Sequence, residues 1–148
     1  MINNQPIKNN LSLPFEAELL VPHRRPIRMI DRLVEFKGKS GVVEALVSSG
    51  NLLVGKDGTL DCIAFVELIA QAYAAIRGYY DLSHNIPVKK GFLVAVKHVE
   101  CNGKAYLGDL LRVNASMISE VGDFAIAEGV VMREEEVLAS ASLTLWVP

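Results

Sequence analysis

Glu67 and Gln71 are the only strongly polar side chains between Asp61 and Arg77, in a stretch that is otherwise apolar. Four residues apart, they share one face of a helix, one turn from each other. Burying an ionised carboxylate without partners costs several kcal/mol, so a glutamate placed there needs a dedicated hydrogen bond. A carboxyl held that way is a natural general acid or base. The bland reading is a structural glutamate bonded to Gln71 or to a buried water. Of the three histidines, His23 lies in a PHRRP turn and either reaches the site or packs the turn. His84 falls in a polar loop and is expected to face solvent, and His98 sits inside a strand pattern with no assigned role. Cys62 and Cys101 lie far apart, outside any CxxC or Cys/His spacing, and read as reduced thiols. With no histidine beside it in sequence, Cys62 is a weak nucleophile candidate. No ligand spacing for a metal is present.

The segment that must position Glu67 is Thr59 to Tyr80, TLDCIAFVELIAQAYAAIRGYY. It is apolar nearly all round, the mark of a helix buried inside a core. About 20 residues of helix span roughly 30 Å, the width of a small domain. Thr59 or Asp61 can cap its start. Before it, Ser12 to Leu20 reads as a short helix, with Ser12 capping and Pro14 in the first turn, stopped by Pro22. Met29 to Phe36 and Val42 to Val47 form a hairpin about the Lys37–Gly41 turn cluster, and Ser49 to Asp57 is a loop. After the helix, Phe92–Cys101, Leu110–Ser119, Phe124–Met132 and Val137–Val147 read as four strands of an antiparallel meander. The sum is an α+β domain, an antiparallel sheet around one central helix, over residues 11–148. Residues 1–10 are polar and read as a disordered tail.

With 51% hydrophobic residues in 148, one core can form without disulfides or metals. The formal net charge of −2 gives no general reason to expect nucleic-acid or anionic-membrane binding. No apolar run reaches the ~18 residues of a membrane helix, and the first ten residues lack a signal-peptide core. A cytoplasmic protein is the expectation.

Three segments, in order, resemble the bacterial 3-hydroxyacyl-[acyl-carrier-protein] dehydratases of the FabA/FabZ type. LVPHRRPIRMIDRL (20–33) is similar to that family's LPHRxPxxxxDR opening. VELIAQ (66–71) resembles its active-site helix motif LEAMAQ, which aligns Glu67 with the family's catalytic carboxylate. LVAVKHVECNGKAYLGDLLRV (93–113) is similar to its strand, loop and PGD segment, with Leu107-Gly108-Asp109 standing for PGD. Within the family, the chain looks like the small dehydratase-like subunits of aryl-polyene lipid clusters, the ApeP-like branch. The resemblance implies a hotdog fold, with the helix as sausage and the sheet as bun. It implies protomers paired edge to edge with acyl tunnels at their interface, as a homodimer, a higher homo-oligomer, or a heterodimer with a related dehydratase chain. The substrate it implies is a 3-hydroxyacyl group on the phosphopantetheine of acyl carrier protein or CoA, with no metal or redox cofactor.

The sequence departs from the family at one catalytic position. The family's histidine, about 14 residues before the glutamate, takes the α-proton, whereas residues 48–59 contain no histidine. Asn51 is the best-placed polar residue there and can hold a hydroxyl or carbonyl. The family's glycine amide at the helix start, which polarises the thioester carbonyl, falls on Cys62, and a backbone N–H survives that change. The resemblance thus gives Glu67 as general acid/base and Asn51 in the histidine's place. It makes Gln71 the residue that orients Glu67, Cys62 the amide donor, and His23 a further substrate contact. Arg24, Arg25, Arg28, Lys89 and Lys90 would steer an acidic carrier protein and its phosphate, or be a solvated rim. Two other readings stay open: an acyl-thioesterase using Glu67, and a non-catalytic hotdog partner of an active dehydratase.

Overall fold

The computed structural model describes residues 11–148; the tail expected at 1–10 lies outside the described residues. The long apolar segment is the helix α1 (Ile63–Ser83). It starts four residues later than the pattern suggested, because Thr59 and Leu60 are held in bridges to Tyr106 and Val54. Of the two capping candidates, Asp61 is used: its Oδ1 accepts the Ile63 N–H at 3.0 Å.

Seven strands form one antiparallel sheet. They are β1 (Phe15–Glu16), β2 (Arg32–Phe36), β3 (Ser40–Leu46), β4 (Phe92–Cys101), β5 (Leu110–Val121), β6 (Phe124–Arg133) and β7 (Glu136–Trp146), in the spatial order β1-β2-β3-β5-β6-β7-β4. The sheet lies against α1 through β5, β3, β6 and β7. Alternate residues of β3, β5, β6 and β7 face the helix, among them Val43, Val113, Ala127 and Leu143, and all four are buried. Opposite them stand Phe65, Leu68, Ile69, Ala72 and Ile76 of α1. Small residues let sheet and helix approach: a Cβ on Gly129 would lie 2.3 Å from Ile69 Cγ2. This is the expected α+β arrangement of a curled antiparallel sheet around one central helix, the hotdog fold.

Two expectations fail locally. Ser12 to Leu20 is not a helix but the strand β1 followed by a single 3-10 turn at Ala17–Leu19. Tertiary contacts override the local signal there: β1 pairs with Arg32 and Leu33, the Ala17 N–H donates to Asp31 O, and Phe15 packs edge-on against Tyr79. The four-strand meander is really three, β5-β6-β7, with β4 beyond β7 rather than beside β5. The Asn102 and Gly103 N–H groups both donate to Leu138 O, which docks the segment on β7 instead of turning it back.

The cysteines are also corrected. Cys62, at the N-terminus of α1, and Cys101, at the end of β4, are joined in a disulfide. No thiol remains on Cys62, and the cytoplasmic expectation loses the support it drew from reduced cysteines. No helix among the described residues is long and apolar enough to cross a membrane.

Candidate active site

Gln71 is fully buried and makes three hydrogen bonds. Its Oε1 accepts the Met29 N–H at 2.8 Å, and its Nε2 donates to Ile27 O at 2.9 Å and to Glu67 Oε1 at 2.8 Å. A backbone N–H only donates and a carbonyl only accepts, so the first two bonds fix which way the amide points. The third therefore brings a donor to Glu67 Oε1. That oxygen acts as an acceptor, which leaves Oε2 as the oxygen better placed to carry and deliver a proton. The expected pairing of these two residues is present, and its orientation is imposed by the backbone of Ile27 and Met29, in the segment that runs on from the PHRRP turn over the helix.

That segment lies close because Gly78 permits it. A Cβ at Gly78 would fall 2.1 Å from Leu20 O, so no side chain fits between α1 and residues 20–23. Pro22 and His23 are thereby seated on α1, lining one cavity with Glu67. The His23 Nδ1 is buried without a partner among the described residues. His84 stacks on Tyr80 in an exposed loop, and His98 is exposed on β4 at φ 53°, where the pairing with β7 is irregular.

Glu67 borders two hollows. One, of about 540 Å³, is an apolar cleft walled by Leu52, Leu53, Ile63, Val66, Leu93 and Val96, and Asn51 also lines it. Asn51 Oδ1 accepts the Leu53 N–H at 2.8 Å, which leaves its amide nitrogen free to donate. So the structure brings Asn51 and Glu67 to the same cleft. Cys62 stands just outside it, at the start of α1, and its N–H donates to no acceptor among the described residues. The second hollow, about 220 Å³, runs from Glu67 along α1 to Asp81.

The basic residues fall in two places. Arg25 and Arg28 line a hollow of about 300 Å³ that shares Pro26 and Asn51 with the apolar cleft. Arg25 pairs with Asp31, and the largely buried Arg28 lies 3.9 Å from Glu18. Arg24 donates to Val21 O and His23 O, bracing the turn. Lys89 lines the hollow at Asp81 instead, and Lys90 is exposed. The five expected docking residues do not form one patch on this chain.

Leu107-Gly108-Asp109 is a structural turn. Asp109 Oδ2 accepts the Tyr106 N–H at 2.8 Å and pairs with Arg133 at 2.7 Å. Burial alone would push this carboxyl up, but the Tyr106 N–H and the Arg133 guanidinium outweigh it and hold it below the ordinary carboxylate range. What sequence reasoning missed is the far end of the helix face, Arg77 and Asp81. Arg77 entered the sequence reading only as the end of the apolar stretch, and Asp81 did not enter it at all. A polar pair at one helical spacing beyond Ala70 and Ala74 was the available signal.

Among known proteins, the family model ApeP-like (ApeP dehydratase) matches residues 15–148. A 3-hydroxyacyl-[acyl-carrier-protein] dehydratase FabZ of Alkaliphilus metalliredigens (strain QYMF) is 27% identical over 135 residues, 88% of this chain and 90% of that protein. Among solved structures, the dehydratase heterocomplex ApeI:P from Xenorhabdus doucetiae gives a TM-score of 0.84 at 20% identity, covering 93% of each chain. A hypothetical thioesterase from Streptococcus pneumoniae TIGR4, solved with coenzyme A, gives 0.61 at 13% identity over 78% of this chain and 84% of that one. At these identities the two structures speak for the fold alone.

Proposed function

The chain belongs to the ApeP-like dehydratase family, and from that premise we propose that it removes water from 3-hydroxyacyl groups carried as thioesters on acyl carrier protein. The observation that carries the reading is Glu67 itself. Its carboxyl is locked by Gln71 at the edge of an apolar cleft whose neighbouring hollow is lined by Arg25 and Arg28. An apolar chain, a polar reacting end and an anionic arm are thereby matched by successive stretches of one surface.

In the elimination, a base takes the α-proton, the electron pair forms the double bond, and the β-hydroxyl leaves as water. Glu67 Oε2 delivers the proton to that hydroxyl, while Oε1 stays held by Gln71. Asn51 donates from its free amide nitrogen to the hydroxyl or carbonyl. The Cys62 N–H, at the positive end of α1, stabilises charge developing on the thioester oxygen. His23 is the histidine that lines Glu67's cavity, and we assign it the α-proton in a homo-oligomer.

A second reading is favoured by the free edge of β4, whose Phe92, Leu93, Val94, Val96 and Val99 are 39–52% exposed. A related dehydratase chain paired there would supply the missing base, and this chain would lend Glu67 and a tunnel wall. Mass spectrometry of 3-hydroxyacyl-carrier protein separates these readings. Loss of one water with this chain alone, abolished in Glu67→Gln and in His23→Ala, supports the first. Water loss only after a related dehydratase chain is added supports the second, and release of free acid refutes dehydration in favour of a thioesterase.

A further inference from the structure

The apolar cleft beside Glu67 lies between α1 and β4, with Ile63 and Val66 on the helix side and Leu93 and Val96 on the strand side. The helix rests chiefly on β5, β3, β6 and β7. Among the described residues no hydrogen bond or ion pair joins α1 to β4. One covalent tie does so. Cys62, one residue before Ile63, is bonded to Cys101, five residues past Val96, with Cα atoms 6.5 Å apart. The bond therefore straps the two walls together at one end of the cleft. Both cysteines are exposed, and exposed disulfides are the ones that thiols open and reform. The surrounding frame is closed without the strap. Leu60 N–H donates to Ala105 O at 2.9 Å, Leu107 N–H donates to Gly58 O at 2.8 Å, and Thr59 bridges Tyr106. Between Val96 and Cys101, by contrast, β4 is poorly held. Its register with β7 shifts between Lys97 and Glu100, and His98 sits at φ 53°, a conformation that non-glycine residues seldom adopt. With the strap closed, this stretch is held by both α1 and β7; with it open, β7 alone holds it.

On the acyl-thioester reading above, we propose that the Cys62–Cys101 bond is a redox-operated strap that sets the spacing of the cleft walls. Closed, it holds the site competent; opened by a dithiol, it lets the walls slacken and turnover falls. In the opening step a thiolate of the dithiol attacks one cysteine sulfur, and the other cysteine leaves as a thiolate and takes a proton. The dithiol's second thiolate then attacks its own sulfur in the mixed disulfide and expels the first cysteine, which is protonated in turn. The protein gains two electrons and two protons as a pair of thiols, and the dithiol becomes a disulfide. An oxidised dithiol reverses both steps and closes the strap. Two features pass the change on to the chemistry. Cys62 carries the N–H assigned to the thioester oxygen, and Val96 walls the cleft that Glu67 borders. Displacing a reacting group by ~1 Å costs up to about a hundredfold in rate.

The test compares the full chain oxidised and held reduced with dithiothreitol. Amide hydrogen exchange is followed by mass spectrometry beside turnover of 3-hydroxyacyl-carrier protein, with and without a related dehydratase chain, and near-ultraviolet circular dichroism reports the fold. Reduction is expected to speed exchange in residues 62–66 and 97–101 while the circular dichroism stays native. It should lower kcat/KM roughly ten- to hundredfold, and an oxidised dithiol should restore it. Cys101→Ser should show the slow turnover and fast exchange in both conditions, with no response to dithiothreitol. Equal exchange at the two segments in both forms, equal turnover, a Cys101→Ser variant working at the oxidised rate, or unfolding of the parent on reduction would overturn the proposal while leaving the role of Glu67 as it is. Turnover in neither form, alone or with the added chain, would overturn the dehydratase reading instead, and exchange at the two segments would then decide the strap by itself.

Discussion

Replacing Gln71 with leucine tests whether the PHRRP segment and the carboxylate are held by one side chain. Leucine is close in volume and apolar, so it fills the space without offering either hydrogen bond. The Met29 N–H, on a residue 5% exposed, would lose its acceptor, and Ile27 O would lose a donor. A buried unsatisfied donor costs ~1–3 kcal/mol, and the half-exposed carbonyl costs less because water reaches it. The sum is about 2–4 kcal/mol, against a total stability of about 5–15 kcal/mol for a domain. For a chain of this length each kcal/mol lowers the melting temperature by ~2–4 °C, so Gln71→Leu should melt roughly 5–15 °C below the parent. Circular dichroism melts measure it directly. The same variant frees Glu67 Oε1, so its residual turnover should drop through kcat with little change in KM, the pattern of lost positioning. Glu67→Gln, which leaves Gln71's two backbone bonds in place, should melt within ~1 kcal/mol of the parent. If Gln71→Leu melts with the parent, or if both variants lose stability equally, the three bonds do not hold the segment and the reasoning fails.

Other consequences are checked the same way. Gly78→Ala should destabilise by at least ~1–3 kcal/mol, because its Cβ meets the fixed Leu20 carbonyl rather than a movable side chain, and urea titration reads it. Breaking the Cys62–Cys101 link in Cys101→Ser releases a loop of 39 residues' separation, worth about 4 kcal/mol on chain entropy alone; thiol titration of the unreduced protein should find no free thiol. Asp109 is depressed in the fold, so its stabilisation is whole above the ordinary carboxylate pKa and fades as pH falls below about 4. Asp109→Asn should flatten that acid limb of the denaturation profile. Asp81 has the opposite sign: burial raises it, against the pull of Arg77 and Lys89. Its carboxyl therefore opposes folding increasingly as pH rises above the ordinary carboxylate pKa toward its raised value, and Asp81→Asn should be at least as stable as the parent at pH 7.

The long helix was legible because an apolar run of about twenty residues is too long for a strand and lacks the polar stripe of a surface helix, and α1 does bury most of its residues. Glu67 and Gln71 stood out against the same background. Local periodicity could not place β4, whose neighbour depends on where the Asn102-Gly103 corner docks, a contact with Leu138 far along the chain. It also misjudged Ser12 to Leu20, where capping residues are present but the pairing of Phe15 with Leu33 decides the outcome. The disulfide was invisible for a related reason: Cys62 and Cys101 come within 6.5 Å between Cα atoms only after β4 has taken its edge position. Arg77 and Asp81 were hidden by their likeness to an exposed i,i+4 pair, since nothing in their types announces that the carboxylate is buried.

The edge position of β4 ties these observations together. Among the described residues its only strand partner is β7, which leaves one row of its backbone N–H and C=O groups unpaired there. Phe92, Leu93, Val94 and Val96 in its first half are apolar and exposed, and its pairing with β7 is irregular between Leu93 and Ala95 and again between Lys97 and Glu100. Natural edge strands are blunted by charge, proline, a bulge or a covering element; Phe92 to Val96 carries neither charge nor proline, and one irregularity, between Leu93 and Ala95, interrupts it. Leu93 and Val96 of that same stretch wall the cleft beside Glu67, and Phe92 walls the hollow leading to Asp81. A strand added to β4 would therefore both pair the free edge and roof the cleft, so association and site assembly are one event. Val94→Lys, set in the exposed run but lining neither hollow, should then lower activity and oligomer mass together on light scattering. Activity retained in a monomeric Val94→Lys variant would show that the site is complete within one chain.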